Sequence, residues 1–314
     1  MSKFAFLFPG QGSQAVGMGQ TFFDEHQEVR DLFEKANDVL GYSLSDLMLN
    51  GPEEDLTKTE NAQPALLLNS VAIFEQIKKA GIEPSMVAGH SLGEYSALYA
   101  AGALSFEDAI KAVHERGKLM EEAVPANQGT MAAVLGLDDE TIINITQEIT
   151  SNGSTVNVAN YNCPGQTVIS GTVEGVNEAV EKLKESGAKR ALPLNVSGPF
   201  HSQLMKPASA QFETVLNDMN INKAQVPVYA NVTAKPVHTE DQIKQLLVEQ
   251  LYSPVQFTKT LENMVEEGVD AFVEIGHGKV LAGLVKKVHR PAKVFNIQDV
   301  EQLNEFIKWA KEES

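Results

Sequence analysis

The stretch from Ser85 to Leu98, Ser-Met-Val-Ala-Gly-His-Ser-Leu-Gly-Glu-Tyr-Ser-Ala-Leu, restricts this chain more than any other. Its centre, Gly89-His90-Ser91-Leu92-Gly93, has the G-x-S-x-G form of a nucleophile elbow. Met86-Val87-Ala88 reads as a short buried strand, and Glu94 to Ala101 as a helix of good formers that stops at Gly102. Small residues two before and two after the serine let the backbone bend sharply and keep its hydroxyl exposed. Ser91 then stands at a helix N-terminus, where unpaired amides stabilise an oxyanion.

The rest of the chain supplies strands and helices in alternation, which implies a mainly parallel sheet covered on both faces, an α/β fold. Lys3 to Phe8 is an apolar run of strand length. The turn after it, Pro9-Gly10-Gln11-Gly12-Ser13-Gln14-Ala15, formally matches a relaxed dinucleotide fingerprint at Gly10-x-Gly12-x-x-Ala15. Val29 to Leu40 then reads as helix, with no second strand ending in an acidic residue at the required distance. There is no Gly-Lys-Ser/Thr either. What remains is a glycine-rich turn presenting backbone N–H groups to an anion. Asn61-Ala62-Gln63-Pro64 opens a strong helix with Pro64 near its first position, running to about Ala80. Ser105-x-x-Asp108 starts another that reaches about Ala123. Arg116 falls on its apolar stripe among Ala109, Val113 and Met120, where an arginine either snorkels, serves a structural ion pair or meets an anion.

Between 127 and 197 the order becomes βαββαβ, the ferredoxin-like unit. Strands fall at Thr130–Leu137, Thr155–Asn160, Thr167–Ser170 and Lys189–Val196, and helices at Asp138–Thr150 and Val173–Ser186. The unit reads as a small domain inserted into a hydrolase-like large domain made of 1–126 and 198–314. From His201 the alternation resumes, with helices at Ser202–Met219, Asp241–Leu251, Val255–Glu267 and Lys279–Val288. Strands fall at Val226–Ala230, Val269–Ile275 and Lys293–Ile297, before an amphipathic C-terminal helix.

Composition narrows the class of function. A net charge of −17 argues against nucleic acid or an anionic membrane surface as partner. An anionic substrate would need a local positive group to overcome that field. The single cysteine, Cys163, fits a reducing compartment. Phe4 to Phe8 is too short for a signal-peptide core and no run approaches a membrane span, so a cytoplasmic location is expected.

A serine nucleophile requires a base. Of seven histidines, His201 is the best placed, following Ser197-Gly198-Pro199-Phe200 where the inserted unit returns to the main sheet. His277, between two glycines after a strand, is the runner-up. No aspartate announces itself as a third member. Elbow, base and Arg116 agree on acyl transfer from a substrate carrying a negative charge. A serine hydrolase on the same elbow and a dinucleotide-binding oxidoreductase are the alternatives.

Five segments now stand in one order and spacing: Phe8-Pro-Gly-Gln-Gly-Ser-Gln14, Gly89-His-Ser-Leu-Gly-Glu-Tyr-Ser96, Arg116, Gly198-Pro-Phe-His-Ser202 and Val248-Glu-Gln-Leu-Tyr-Ser-Pro-Val-Gln256. The chain resembles, over nearly its whole length, the malonyl-CoA:acyl carrier protein transacylase family of fatty acid synthesis. The resemblance implies Ser91 as the residue that carries malonyl as an ester and His201 as general base and acid. It implies an oxyanion hole from the amides of Gln11 and Leu92, and a bidentate pair between Arg116 and the malonyl carboxylate. Phe200 matches a residue favouring malonyl over branched groups, and the main-chain carbonyl of Gln250 would orient His201. It further implies malonyl-CoA and acyl carrier protein as partners and no metal or redox cofactor. His277 departs from it, standing where the family pattern has proline. The carrier protein, being acidic, would need a basic patch, for which Lys189-Arg190 and Lys286-Lys287 with Arg290 are candidates.

Overall fold

The structure, a computed structural model, describes residues 2–313. Among the described residues ten strands form two sheets: β1 (Phe4–Phe8), β2 (Met86–Gly89), β3 (Gly129–Leu135), β4 (Val156–Cys163), β5 (Gln166–Thr172), β6 (Arg190–Pro193), β7 (Val228–Tyr229), β8 (Pro236–Val237), β9 (Ala271–Ile275) and β10 (Val294–Ile297). The larger sheet has the order β10-β9-β1-β2-β7-β8 and the smaller β4-β5-β3-β6. In the larger sheet β10, β9, β1, β2 and β7 run parallel, and only the two-residue β8 is antiparallel. The fold is therefore α/β with a mainly parallel sheet, as expected, and the separate sheet of β3 to β6 is wholly antiparallel.

β1 shows why the centre of the large sheet is stable. All five residues are buried, and the pleat sends Phe4, Phe6 and Phe8 to one face and Ala5 and Leu7 to the other. The phenylalanines meet the long helix Thr59–Lys79 and the C-terminal helix Val300–Glu312, with edge-on contacts from Phe6 to Phe74 at 6.3 Å and from Phe4 to Phe306 at 5.8 Å. Such pairs add about 0.5–1.5 kcal/mol beyond the area they bury. The opposite face packs on Phe257, Leu261 and Met264 of helix Phe257–Glu266 and on Leu281, Leu284 and Val285 of helix Val280–Val288. The small sheet buries one face under its own helices, Asp139–Ser151 and Val173–Glu185.

Main-chain bonds tie the small sheet to the segment just before helix Phe257–Glu266. The Val255 amide donates to Ala159 O at 2.8 Å and the Tyr161 amide to Val255 O at 2.9 Å, a parallel bridge on the edge of β4.

Several boundaries differ from the sequence reading. The helix expected to open at Asn61 begins at Thr59, so Pro64 lies inside it rather than near its first position. Proline there removes the N–H that would bond to Glu60 O. His114 Nδ1 donates to that carbonyl instead, at 2.9 Å, which is how the interior proline is tolerated. The helix expected from Ser202 starts as a 3₁₀ turn, Gln203–Met205, and becomes α only at Lys206. The strand expected at Lys189–Val196 stops at Pro193, which frees 194–197 to line a cavity. Short helices at Gln20–Glu25, Leu44–Asn50 and Glu53–Thr57 were not foreseen. The glycine-rich turn after β1 leads to no helix before Gln20, so the dinucleotide fingerprint lacks the helix that defines it.

Candidate active site

Gln11, Ser91, Asn231 and His277 follow the carboxyl ends of β1, β2, β7 and β9, the edge where open parallel sheets place their ligands. The elbow's shape is set by its neighbours. A Cβ on Gly89 would fall 1.9 Å from the Gly93 carbonyl, and one on Gly93 would fall 2.1 Å from Phe8 O. With both positions reduced to hydrogen, strand, turn and helix pack backbone to backbone. Ser91 is left at φ 53, a left-handed conformation held by its surroundings. Its amide donates to Asn231 Oδ1 at 2.8 Å, and Asn231 Nδ2 donates to Gly89 O at 2.6 Å.

Ser91 Oγ lies 2.8 Å from His201 Nε2. His201 Nδ1 is 2.8 Å from the main-chain oxygen of Gln250, at the end of helix Glu240–Gln250. A carbonyl can only accept, so Nδ1 carries the proton and Nε2 faces the serine with its lone pair. Burial, with the Arg116 charge nearby, pushes the imidazole down to about 3, so it is neutral in the resting site and its Nε2 is free of a proton. His277, the alternative base, lies outside the residues lining the cavity around Ser91.

Arg116 is 1 % exposed and reaches the same hydroxyl. Its Nη2 donates to Ser91 Oγ at 3.0 Å and to Gln250 Oε1 at 2.8 Å, while Nη1 donates to Gln63 Oε1 at 2.8 Å. Its guanidinium carbon sits 5.6 Å from the Tyr95 ring centre. The guanidinium is thus held by two neutral amide oxygens and an aromatic face, and among the described residues no acidic side chain hydrogen-bonds it. That arrangement leaves a positive charge free to meet an anion.

A cavity of about 530 Å³ opens on these groups. Apolar walls come from Met120, Met131, Val168, Leu194 and Phe200, and polar ones from Gln11, Asn160 and Asn162. Phe200 is buried beside His201 and lines the same cavity. The amides of Gln11 and Leu92 donate to nothing among the described residues. Gln11 is steadied by its side chain, which donates to Thr59 Oγ1 at 3.2 Å.

Sequence reasoning missed Gln63, Asn231, Glu94 and the side chain of Gln250. Gln250 is fully buried, and its Nε2 donates to Ser91 O, Glu94 Oε2 and Asn231 Oδ1. The sequence reading used only its main-chain carbonyl. The signal for Asn231 was its place just past a parallel strand. Glu94 is 2 % exposed, and burial raises its carboxyl to about 7. Of the basic candidates for docking, Lys286 donates to Ala292 O at 2.5 Å and Lys287 to Gln166 Oε1 at 3.2 Å.

A pH profile follows from these environments. The acylation rate is expected to show no inflection at the ordinary histidine value of about 6.5. An inflection near 7, belonging to Glu94, is expected to vanish in Glu94→Gln. Single-turnover acylation from pH 5 to 8 checks this. An inflection near 6.5–7 that survives Glu94→Gln would belong to His201 and contradict the buried neutral base.

Among the described residues no helix is long and apolar enough to cross a membrane, and no group of His, Cys, Asp and Glu is arranged to hold a metal ion. The pattern of the family described as "Acyl transferase domain" matches residues 5–310. The malonyl CoA-acyl carrier protein transacylase of Bacillus subtilis (strain 168) is 53% identical over 314 residues, covering 100% of this chain and 99% of that protein. A solved acyl carrier protein S-malonyltransferase from Vibrio cholerae is 46% identical, with a TM-score of 0.95 over 97% of this chain and 100% of that one. A malonyl-transacylase solved in complex with its type II polyketide acyl-carrier protein has a TM-score of 0.95 at 45% identity, covering 98% of this chain and 99% of that one. With relatives matched along their full length in both sequence and fold, this chain belongs to the malonyl-CoA:acyl carrier protein transacylase family of acyl transferases.

Proposed function

We propose that this chain moves a malonyl group from malonyl-CoA to the phosphopantetheine thiol of acyl carrier protein, through a malonyl ester on Ser91. The observation that carries the reading is the position of one hydroxyl, Ser91 Oγ, 2.8 Å from a neutral imidazole and 3.0 Å from a buried guanidinium. Nucleophile, base and a receptor for a carboxylate therefore meet at one atom.

In the first half-reaction Ser91 Oγ attacks the thioester carbonyl carbon as His201 Nε2 takes its proton. Negative charge collects on the carbonyl oxygen, for which the amides of Gln11 and Leu92 are the available donors. The C–S bond then breaks, the proton on Nε2 passes to the departing sulfur, and coenzyme A leaves. In the second half His201 takes the proton of the carrier's thiol, its sulfur attacks the ester, and the proton returns to Ser91 Oγ. The imidazolium formed in each half is stabilised at Nδ1 by Gln250 O. Atoms balance with one serine, one histidine and two thiols, so the reaction as written uses no metal or redox cofactor.

Arg116 gains a second role once Ser91 is acylated. Nη1 has one N–H on Gln63 and Nη2 one on Gln250. The remaining pair, one of which serves the free hydroxyl, is then available to the two oxygens of the malonyl carboxylate. Phe200 would border the acyl group. On this reading 1–126 with 198–314 form the catalytic domain, 127–197 is the small domain that walls the cavity, and the enzyme is cytoplasmic.

Intact mass spectrometry tests the function. Brief incubation with malonyl-CoA should add one malonyl group, and holo carrier protein should remove it and become malonylated. Loss of the label to water as free malonate, with no carrier product, would instead identify a hydrolase.

A further inference from the structure

Glu94 makes or breaks no bond in the transfer described above, yet it stands three residues past the proposed nucleophile and is almost wholly buried. Its Oε2 accepts from Gln250 Nε2 at 2.7 Å and from the Asn231 amide at 3.2 Å. The Gln250 side chain is an amide with two unlike ends. Oε1 accepts from Arg116 Nη2 at 2.8 Å, and Nε2 faces Glu94 Oε2, Ser91 O at 2.9 Å and Asn231 Oδ1 at 3.2 Å. Turned over, the amide would press an oxygen against three acceptors and N–H groups against a guanidinium. Among those acceptors Glu94 makes the shortest contact, and it also holds the main chain of Asn231.

We propose that Glu94 is a positioning residue for the carboxylate site: by accepting from Gln250 Nε2 it keeps Oε1 on Arg116 and so aims the guanidinium at the acyl group's carboxylate. Besides its bond to the reacting Ser91 hydroxyl, Arg116 is gripped at two points, Gln63 on Nη1 and Gln250 on Nη2, and its Nε has no partner among the described residues. If the grip on Nη2 loosens, the guanidinium plane swings about the other. The carbonyl that orients His201 belongs to the main chain of Gln250 and stays with its helix. An acyl group without a carboxylate is therefore hurt less than malonyl.

The inference rests on the malonyl-transfer reading, and the test separates the two. Initial rates with malonyl-CoA and acetyl-CoA are measured, with holo carrier protein as acceptor, for wild type, Glu94→Met and Glu94→Gln. Methionine keeps the volume and removes the acceptor, whereas glutamine keeps an acceptor oxygen. Glu94→Met should lose about 10²-fold in kcat/KM for malonyl-CoA, the scale of a small misplacement of a binding group, and clearly less for acetyl-CoA. Glu94→Gln should retain the malonyl preference of the wild type. Equal loss on both thioesters in Glu94→Met, an unchanged preference there, or a preference lost equally in Glu94→Gln would overturn the proposal. If Glu94→Met does not fold, Glu94→Gln decides it: a kept preference supports the acceptor role and a lost one overturns it. A wild type that does not favour malonyl would defeat the transfer reading instead.

Discussion

Arg116→Ala is expected to lose malonyl transfer by about 10²–10⁴-fold while keeping or gaining acetyl transfer. A charge-assisted hydrogen bond contributes about 1.5–3 kcal/mol, two make about 3–6 kcal/mol, and about 1.4 kcal/mol is tenfold. The carboxylate is the only group that distinguishes the two thioesters at this point, so the loss should fall on malonyl. Lysine should rescue poorly, because it keeps a charge but not the planar fork that bonds Gln63, Gln250 and an anion together. The structure adds a cost in stability. Truncation strands the buried oxygens of two glutamines, each worth about 1–3 kcal/mol when left unpaired, so Tm should fall as well. The measurement is kcat/KM for both thioesters on wild type, Arg116→Ala and Arg116→Lys, below the Tm of each. Equal proportional loss of both activities in the alanine variant would make Arg116 a structural residue and place substrate selection elsewhere.

Ser91→Ala should abolish the acyl-enzyme altogether and leave the fold intact, since the hydroxyl's partners are a histidine and an arginine that have other bonds. His201→Ala should cost about 10²–10⁴-fold, the usual worth of a general base. The double variant should be no slower than Ser91→Ala alone, because a base with no nucleophile to activate contributes nothing. Label that persists in Ser91→Ala, or that maps to another residue by peptide mass, would refute the assignment of the nucleophile.

The order of elements was readable because the strands are short apolar runs and the helices carry strong start and stop residues, such as Ser105 capping Asp108 and Gly102 at φ 72. Boundaries slipped where tertiary contacts replaced a local signal. Pro64 looks like a first-turn residue until His114, 50 positions away in sequence, supplies the donor that Glu60 O lacks. Of the candidate site, Ser91, His201 and Arg116, which the structure brings together, were legible because their types stand out at their positions. It was not legible in Gln63, Asn231 and Glu94. A glutamine or glutamate on a helix is ordinary in one dimension, and only burial against Arg116 and Gln250 gives it a task. The same holds for the Gln250 side chain, whose local sequence marks a helix end and nothing more.

Ser91 and His201 share a backbone property, since both lie in the left-handed region, at φ 53 and φ 56. Such a residue other than glycine costs of order 1–3 kcal/mol and persists only where the surroundings impose it. Glycine at Ser91 is therefore expected to relax the chain while removing the proposed nucleophile, whereas at His201 it would also empty a buried site and strand the Gln250 oxygen. Efforts to raise the heat tolerance of this enzyme would meet the same conflict. A screen scored on survival alone would be drawn to Ser91, and gains compatible with the proposed function would come from the other left-handed positions, Asn127 and Ala234.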